Sequence, residues 1–341
     1  MPSQWHSRAF SLTVSSFTRV HLLRSGLQLG LFELLRQPKT GNQLVQDSQL
    51  APDLLQAWLR AAETQGLIRV TRERDRAYQV DGLARWLLET PRSKSLIALL
   101  DQIVESCGPL FQRMPELLRG AERPDFGTRD DAERVAEASR LIERRALEAL
   151  ARIPGVRRAK RVLDIGCGYG AYLMGLLLRH RDAHGLGIEQ DADVAEIAVR
   201  NLEEADLVRR SEVRVGEFMS IDLDAGSFDL ILLNNNLYYF APNTWSALFE
   251  RIFTRLVPRG LLAIQVPVVS DRATSRLMGH TANTAAFDLY LRAHDNLYGL
   301  PDLAQLHAVL RETGFETVAE TAFLPGGAAR YLWAKAPDEV N

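Results

Sequence analysis

The chain has 341 residues, 46% of them hydrophobic and 25% charged, and sets 41 Lys and Arg against 43 Asp and Glu for a net charge of −2. That length suggests about two domains, and the balance excludes disordered and collagen-like classes. Near-neutrality argues against a polyanion as the main partner, and no apolar run approaches the roughly 20 residues that span a bilayer.

Residues 1–8 run into no apolar leader segment. Two cysteines, Cys107 and Cys167, make neither a disulfide framework nor a metal-type spacing, which points to a reducing cytoplasm. Val20, Leu23 and Leu27, then the 31–35 run, fall at helical spacing and predict helices over residues 12–36, ended by Pro38 and Gly41. Thr40 with Gln43 is a capping box for a short helix to Asp47. Pro52 opens the next helix, whose apolar face is Leu54, Leu55, Trp58, Leu59 and Ala62, and Gly66 stops it. Residues 67–70 and 77–80 read as two short strands around a polar turn.

Helix, turn, helix and a two-stranded wing describe a winged helix. A DNA reader needs a basic recognition helix, yet residues 52–64 carry Asp53, Arg60 and Glu63 with no basic stripe. Arg69, Arg72, Arg74 and Arg76 alternate with Glu73 and Asp75, as on a solvated face. The favoured reading for residues 1–118 is a module for dimerisation and for walling a pocket. Trp5, Phe10, Phe17, Phe111 and Met114 serve as core there more readily than as an aromatic pocket. Residues 95–118 read as helix broken near Gly108-Pro109. A turn-rich connector and a long amphipathic helix, about 131–152, fill residues 119–155.

At residue 156 the pattern changes to α/β. Arg161-Val162-Leu163-Asp164-Ile165 is a short buried strand, followed at once by Gly166-Cys167-Gly168-Tyr169-Gly170 and an apolar helix from Ala171. This is the opening of a doubly wound sheet, in which glycines allow a sharp turn and close approach of a ligand. The spacing is GxGxG rather than the dinucleotide GxGxxG, and no P-loop lysine is present. A second strand, from Gly185, ends in Glu189, placed to accept both hydroxyls of a ribose.

These residues resemble the class I S-adenosylmethionine-dependent methyltransferases. The resemblance continues through Val213–Met219 as third strand and turn, Phe228–Asn235 as fourth strand, and Leu256–Ile264 as fifth, with Arg259 where that family usually has glycine. Residues 315–319 and 331–335 would be the last, antiparallel pair. The resemblance implies a Rossmann-like domain over 156–341 with a seven-stranded sheet and S-adenosyl-L-methionine as cofactor. It implies that Asp164 stands by the methionine amino group and that Gly166 and Gly168 lie against the methionine moiety. Glu189 takes the ribose, Glu217 the adenine amino group and Phe218 the adenine face. Asn234, Asn235 and Asn236 are a polar run at a strand end, of which at least one, with Asn234 first, is expected to reach cofactor or acceptor. Cys167 reads as a small buried filler.

With the first half added, the layout is similar to the small-molecule O-methyltransferases of secondary metabolism, and related C-methyltransferases share it. In that family a histidine just past the fourth strand removes the acceptor's proton. Tyr238 stands there instead, and a phenol with a pKa near 10 orients an acceptor better than it deprotonates one. His294, followed by Asp295, is the second catalytic candidate, and His280 a third. His307 reads as a surface residue, and His180 and His184 as remote from the chemistry. The metal-holding histidine pair of some C-methyltransferases would also fall at Tyr238, so no metal is expected. The expectation is a cytoplasmic homodimer that O-methylates an aromatic or polyketide-like hydroxyl, with no nucleic acid or membrane as partner. The alternatives are C-methylation of an enolisable, keto-acid-like acceptor, and a non-catalytic ligand-sensing regulator that uses the winged helix.

Overall fold

The computed structural model describes residues 4–71, 76–127, 129–269, 280–324 and 328–338. The chain divides into two compact units, residues 1–106 and 107–341.

In the first unit a long helix, α1 (Gln4–Gln28), is followed by α2 (Leu31–Leu34), β1 (Lys39–Thr40), α3 (Gly41–Ser48), α4 (Pro52–Thr64), β2 (Ile68–Val70), β3 (Ala77–Val80), α5 (Gly82–Glu89) and α6 (Ser93–Asp101). The capping box forms as expected: the Gln43 amide N–H donates to Thr40 Oγ1 at 3.3 Å, and the Thr40 N–H to Gln43 Oε1 at 2.8 Å. The wing gains a third strand, because Lys39 and Thr40 pair with Tyr78 and Ala77, giving the order β1-β3-β2. A two-residue strand leaves no periodicity to read. Leu31, Phe32, Leu35, Leu44, Leu59 and Leu67 are fully enclosed and form the centre of this unit. Arg72 and Arg74 of the wing, with Glu73 and Asp75, lie outside the described residues.

The second unit contains short helices α7 (Gly108–Gln112) and α8 (Met114–Leu117), then the long α9 (Arg129–Leu150). The α/β part follows: β4 (Arg161–Ile165), α10 (Ala171–Arg179), β5 (His184–Glu189), α11 (Ala192–Glu204), β6 (Ser211–Val215), β7 (Phe228–Asn234), α12 (Trp245–Arg255), β8 (Leu256–Pro267), α13 (His280–Arg292), α14 (Leu303–Glu312), β9 (Thr317–Ala322) and β10 (Ala329–Lys335). The sheet is seven-stranded, in the order β6-β5-β4-β7-β8-β10-β9, parallel except where β10 runs against both neighbours.

Strand alternation divides the core into two layers. Ile231 and Leu233 of β7 face one layer with Trp245, Phe249 and Ile252 of α12. Leu230 and Leu232 face the other, with Leu147 and Leu150 of α9 and Leu173 and Leu177 of α10. Both faces of the sheet are therefore covered, and its parallel strands are apolar on both sides. The carboxyl ends of β4, β5 and β7 are where polar side chains enter this otherwise apolar interior.

Candidate functional site: a buried carboxylate beside an aromatic cluster

The glycine loop leaves β4 at Ile165 and turns through Gly166, Gly168 and Gly170, all at left-handed backbone angles (φ 62°, 54° and 76°). A Cβ on Gly166 would sit 1.6 Å from the side-chain nitrogen of Asn236, so a larger residue would displace that amide as well as strain the backbone. At Gly168 the same direction is open. The loop is held at several points. The Cys167 N–H donates to the Ile188 carbonyl at 3.0 Å, and Asn236 Nδ2 donates to the carbonyls of Ile165 at 2.8 Å and Gly166 at 3.0 Å. Asn201 Nδ2 closes the far side on the Tyr169 carbonyl at 2.9 Å.

Two carboxylates flank this loop. Glu189, at the end of β5, accepts the Gly168 N–H at 3.0 Å on one oxygen and the Asp191 N–H at 3.2 Å on the other. Two backbone bonds use only part of its acceptor capacity and fix its plane, which suits a vicinal diol. Asp164, at the end of β4, is 1% exposed. Its Oδ1 accepts from Asn234 Nδ2 at 3.3 Å, while its Oδ2 is buried and has no partner among the described residues. Burial raises its pKa to about 7; the Asn234 amide works against that, and the charge of Glu189 adds to it. A buried oxygen left unpaired is costly until a donor or cation completes it. The chemistry of this donor set therefore fits a ligand with a cationic group at Asp164 and a diol at Glu189, as S-adenosyl-L-methionine has.

The three asparagines diverge as strand geometry requires. Asn234 turns to Asp164, and Asn236 staples the loop. Asn235 takes a left-handed backbone (φ 52°) that ends the strand. At the end of β6, Glu217 is exposed and Phe218 is 3% exposed. The Phe218 ring packs in the α12 layer, with the Arg251 guanidinium 5.4 Å from its centroid. Arg251 also donates to the Phe218 and Ile221 carbonyls, so it shapes this turn from α12. Cys167 is buried, and its thiol is pushed far up by burial. It stands against Gly187, where a Cβ would come 2.7 Å from its sulfur.

Beyond β7 lies a continuous set of aromatic rings. Tyr238 meets Tyr239 at 5.3 Å and Phe287 at 5.8 Å between centroids, Phe287 stacks on Tyr290 at 6.4 Å, and Tyr290 meets His294 edge-on at 4.7 Å. Phe126 of the connector closes the group, 5.6 Å from His294 and 6.4 Å from Tyr239. Backbone bonds lock this convergence: the Asp295 N–H donates to Pro124 O at 3.0 Å and the Tyr298 N–H to Tyr238 O at 2.7 Å. Asn296 bonds both main-chain groups of Phe126, at 2.7 and 2.8 Å. Burial, with the neighbouring tyrosines, pushes the Tyr238 phenol well above 10. Tyr239, 39% exposed, is pushed up to about 12, by burial of its hydroxyl first and then by the charge of Glu189.

His294 is 6% exposed, and its Nδ1 lies 2.9 Å from the Tyr290 carbonyl. A carbonyl only accepts, so Nδ1 carries a hydrogen, and in the neutral ring the lone pair is on Nε2. His307 pairs with Glu320 at 3.0 Å on α14, away from these rings. His180 and His184 flank the turn before β5, at the opposite end of the strands. His280 begins α13, and its side chain lies outside the described residues, as does that of Trp5. Phe10 and Phe17 are exposed on α1, and Phe111 is partly exposed on α7. Met114 packs beside Leu110, Leu117 and Tyr290. Among the described residues no group of three or more His, Cys, Asp or Glu is placed to hold a metal ion. No described helix is long and apolar enough to cross a membrane.

Gln265, Tyr331, Tyr172 and Phe126 were missed by sequence reasoning. Gln265 and Tyr331 carried one usable signal, a polar group inside an otherwise apolar strand.

Comparisons with known proteins agree with this geometry. A model of the O-methyltransferase dimerisation domain matches residues 12–90, and a methyltransferase domain model matches residues 162–260. The trans-aconitate 2-methyltransferase of Delftia acidovorans is 32% identical over 148 residues, 43% of this chain and 53% of the relative. That of Afipia carboxidovorans is 30% identical over 198 residues, 56% of this chain and 73% of the relative. The chain spans about half the length of the first of these curated relatives. Among solved structures, an O-methyltransferase family protein from Burkholderia thailandensis superposes with a TM-score of 0.79 at 19% identity, over 98% of this chain and 99% of the other. The mitomycin 7-O-methyltransferase MmcR does so with a TM-score of 0.79 at 19% identity, over 97% and 98%. With both domain models matched in chain order and the seven-stranded sheet in place, the chain belongs to the methyltransferases, with the class I fold and, over residues 12–90, a match to the O-methyltransferase dimerisation domain.

Proposed function

We propose that this protein is an enzyme of the cytoplasm that methylates a hydroxyl of a small aromatic or polyketide-like metabolite, with S-adenosyl-L-methionine as donor. The observation that carries this reading is the buried Asp164, with one oxygen unpaired, at the head of a glycine loop whose other acid, Glu189, acts by its charge on Tyr239 of the aromatic cluster. The cofactor supplies an electrophilic methyl group on a sulfonium.

The chain's own residues do the rest. Asp164 holds the cationic methionine end, helped by Asn234, and Gly166 and Gly168 let the backbone lie close to it. Glu189 accepts the ribose hydroxyls. Glu217 bonds the adenine amino group, with Phe218 supporting that turn from the core. The rings of Phe126, Tyr239, Phe287 and Tyr290 favour a flat apolar acceptor through burial and edge-to-face packing. His294, its tautomer set by the Tyr290 carbonyl, takes the acceptor's proton on Nε2. Tyr238 stays protonated and donates a hydrogen bond. Holding the acceptor against these rings would contribute to the rate by proximity.

A homodimer through the first unit is supported by the dimerisation-domain match. It is also supported by the apolar groups exposed along α1, namely Phe10, Leu12, Val14 and Phe17. A second reading, C-methylation of an enolisable acid, is favoured by Tyr238 standing where the family has its base. The relatives named as trans-aconitate 2-methyltransferases add a carboxylic acid to the acceptor classes worth testing.

Calorimetric titration with S-adenosylhomocysteine tests the cofactor. Stoichiometric binding that Glu189→Ala weakens is expected, and no binding by the intact protein would remove the reading. Methyl transfer to a panel of hydroxylated aromatics, with trans-aconitate and keto acids beside them, separates the two acceptor classes.

A further inference from the structure

Asp164 is the end of a longer chain of polar side chains. Asn234, Gln265 and Tyr331 stand side by side on β7, β8 and β10, as direct cross-strand partners in the register of the sheet. They share the face that carries Asp164. The Tyr331 hydroxyl lies 3.0 Å from Asn234 Oδ1 and 3.4 Å from Gln265 Oε1. Both side chains of this pair are 2% exposed or less.

A hydroxyl has one hydrogen, and two carbonyl oxygens cannot both take it. The shorter contact assigns it to Asn234. With the Gln265 amide turned over, its NH2 end meets the Tyr331 oxygen and its carbonyl the hydroxyl of Tyr172, which faces Gln265 and has no other partner among the described residues. The direction of every bond follows: Gln265 donates to Tyr331, Tyr331 to Asn234, and Asn234 to Asp164. If Asn234 were flipped, its carbonyl would face the carboxylate and two acceptors would repel. While Gln265 donates to it, Tyr331 opposes the flip, because its hydrogen then goes to the oxygen that Asn234 turns away from Asp164. Each donor polarises the next, and the chain ends on the carboxylate.

We propose that Tyr331 and Gln265 are positioning residues of the cofactor site, which orient the Asn234 amide so that Asp164 is ionised and turns its unpaired oxygen to the cationic methionine end of the ligand. The proposal rests on the cofactor reading above. It adds residues from the last strands of the sheet, far in sequence from the glycine loop. Other groups around Asp164 act in known directions. Glu189 of β5 opposes its ionisation, and the Leu173 N–H of α10 favours it. Neighbouring Cys167, Tyr172 and Tyr331 are neutral, since each is pushed to higher pH by burial. Asp164 is thus the group here that titrates near neutrality.

The test is the dissociation constant of S-adenosylhomocysteine, whose amino group is cationic over the range used, measured by calorimetry at pH 6.0 and pH 8.0. Wild type binds more weakly at the lower pH as Asp164 takes up a proton. In Tyr331→Phe the ratio of the two constants is expected to rise about fivefold, the result of a one-unit rise in the pKa of Asp164 from about 7. Gln265→Met moves it the same way by less. Added to Asp164→Asn, Tyr331→Phe leaves the ratio unchanged. A merely structural role lowers stoichiometry or affinity equally at both pH values, and that outcome overturns the proposal. So does an unchanged ratio in a Tyr331→Phe protein that binds normally. If Tyr331→Phe does not fold, Gln265→Met decides by the same ratio. Absence of binding in wild type overturns the cofactor reading itself, together with the proposal.

Discussion

The two halves of the site are built in opposite ways. The carboxylate half is short in sequence and dense in backbone bonds. Asp164, the loop and Glu189 fall within one strand-loop-helix-strand unit, and main-chain N–H groups fix Glu189 directly. The aromatic half gathers Phe126, Tyr238, Tyr239, Phe287, Tyr290 and His294 from three separated segments, held by ring contacts and a few clamps such as Asn296 on Phe126. A ligand that is always the same can be met by a rigid backbone cradle. A pocket that selects among flat acceptors is better made of side chains that change without touching that cradle.

The comparison can be broken at the carboxylate half first. Glu189→Ala is expected to weaken S-adenosylhomocysteine by about 100-fold, since hydrogen bonds to a charged group are lost. An affinity within threefold of wild type by calorimetry would mean the ribose acid has been misassigned. On the aromatic side, His294→Ala should lower kcat about 100-fold near pH 7 with KM little changed, and activity should recover at high pH. A pH–rate profile identical to wild type would move the base elsewhere.

Asp164→Asn should lose cofactor affinity yet raise the stability of the ligand-free protein. The acid stands at about 7 in the fold against 3.8 for the free group, so its folded form favours the proton. The protein keeps its full stability from this group below about pH 4 and loses it as the pH climbs to about 7. Thermal melts at pH 8 should therefore favour Asp164→Asn by on the order of 4 kcal/mol, with little difference at pH 4. A variant less stable at both would show that the carboxylate is structural. The smallest effect is expected from Tyr238→Phe, about tenfold in KM with kcat nearly kept, because a protonated donor to the acceptor is removed. A large loss of kcat there would make Tyr238 a participant in proton transfer.

Legibility in the sequence followed the same division. Strand β4, the loop and Glu189 could be read because the chemistry is local and glycine leaves a mark wherever the backbone must turn left-handed. The Thr40 cap was legible for that reason too, since partners three residues apart meet without help from the rest of the fold. Helix α5, between the wing and α6, went unread because eight residues offer barely two turns of pattern. Helix α13 went unread because its apolar and polar residues are poorly segregated, and with it the reason why His294 meets Phe126. Gln265 and Tyr331 sit in runs of buried strand, where one polar atom looks like tolerance until the register places it beside another. Phe218 was legible as a turn residue, but its burial under Arg251 depends on α12, which comes later in the chain.

The reversed direction of β10 has a consequence for how the protein comes into being. Because this strand runs against its neighbours, its early residues, Tyr331 among them, arrive at the carboxyl ends of the parallel strands, beside Asn234. The glycine loop is translated long before that, and until β10 has inserted, the Asn234 amide has its bond to Asp164 but not the one from Tyr331. A nascent chain stalled after β8 therefore carries every residue of the recognisable motif and still has an unfinished binding site. Ligand capture during synthesis would then act as a readout of the final hairpin, and would protect only chains whose sheet is complete.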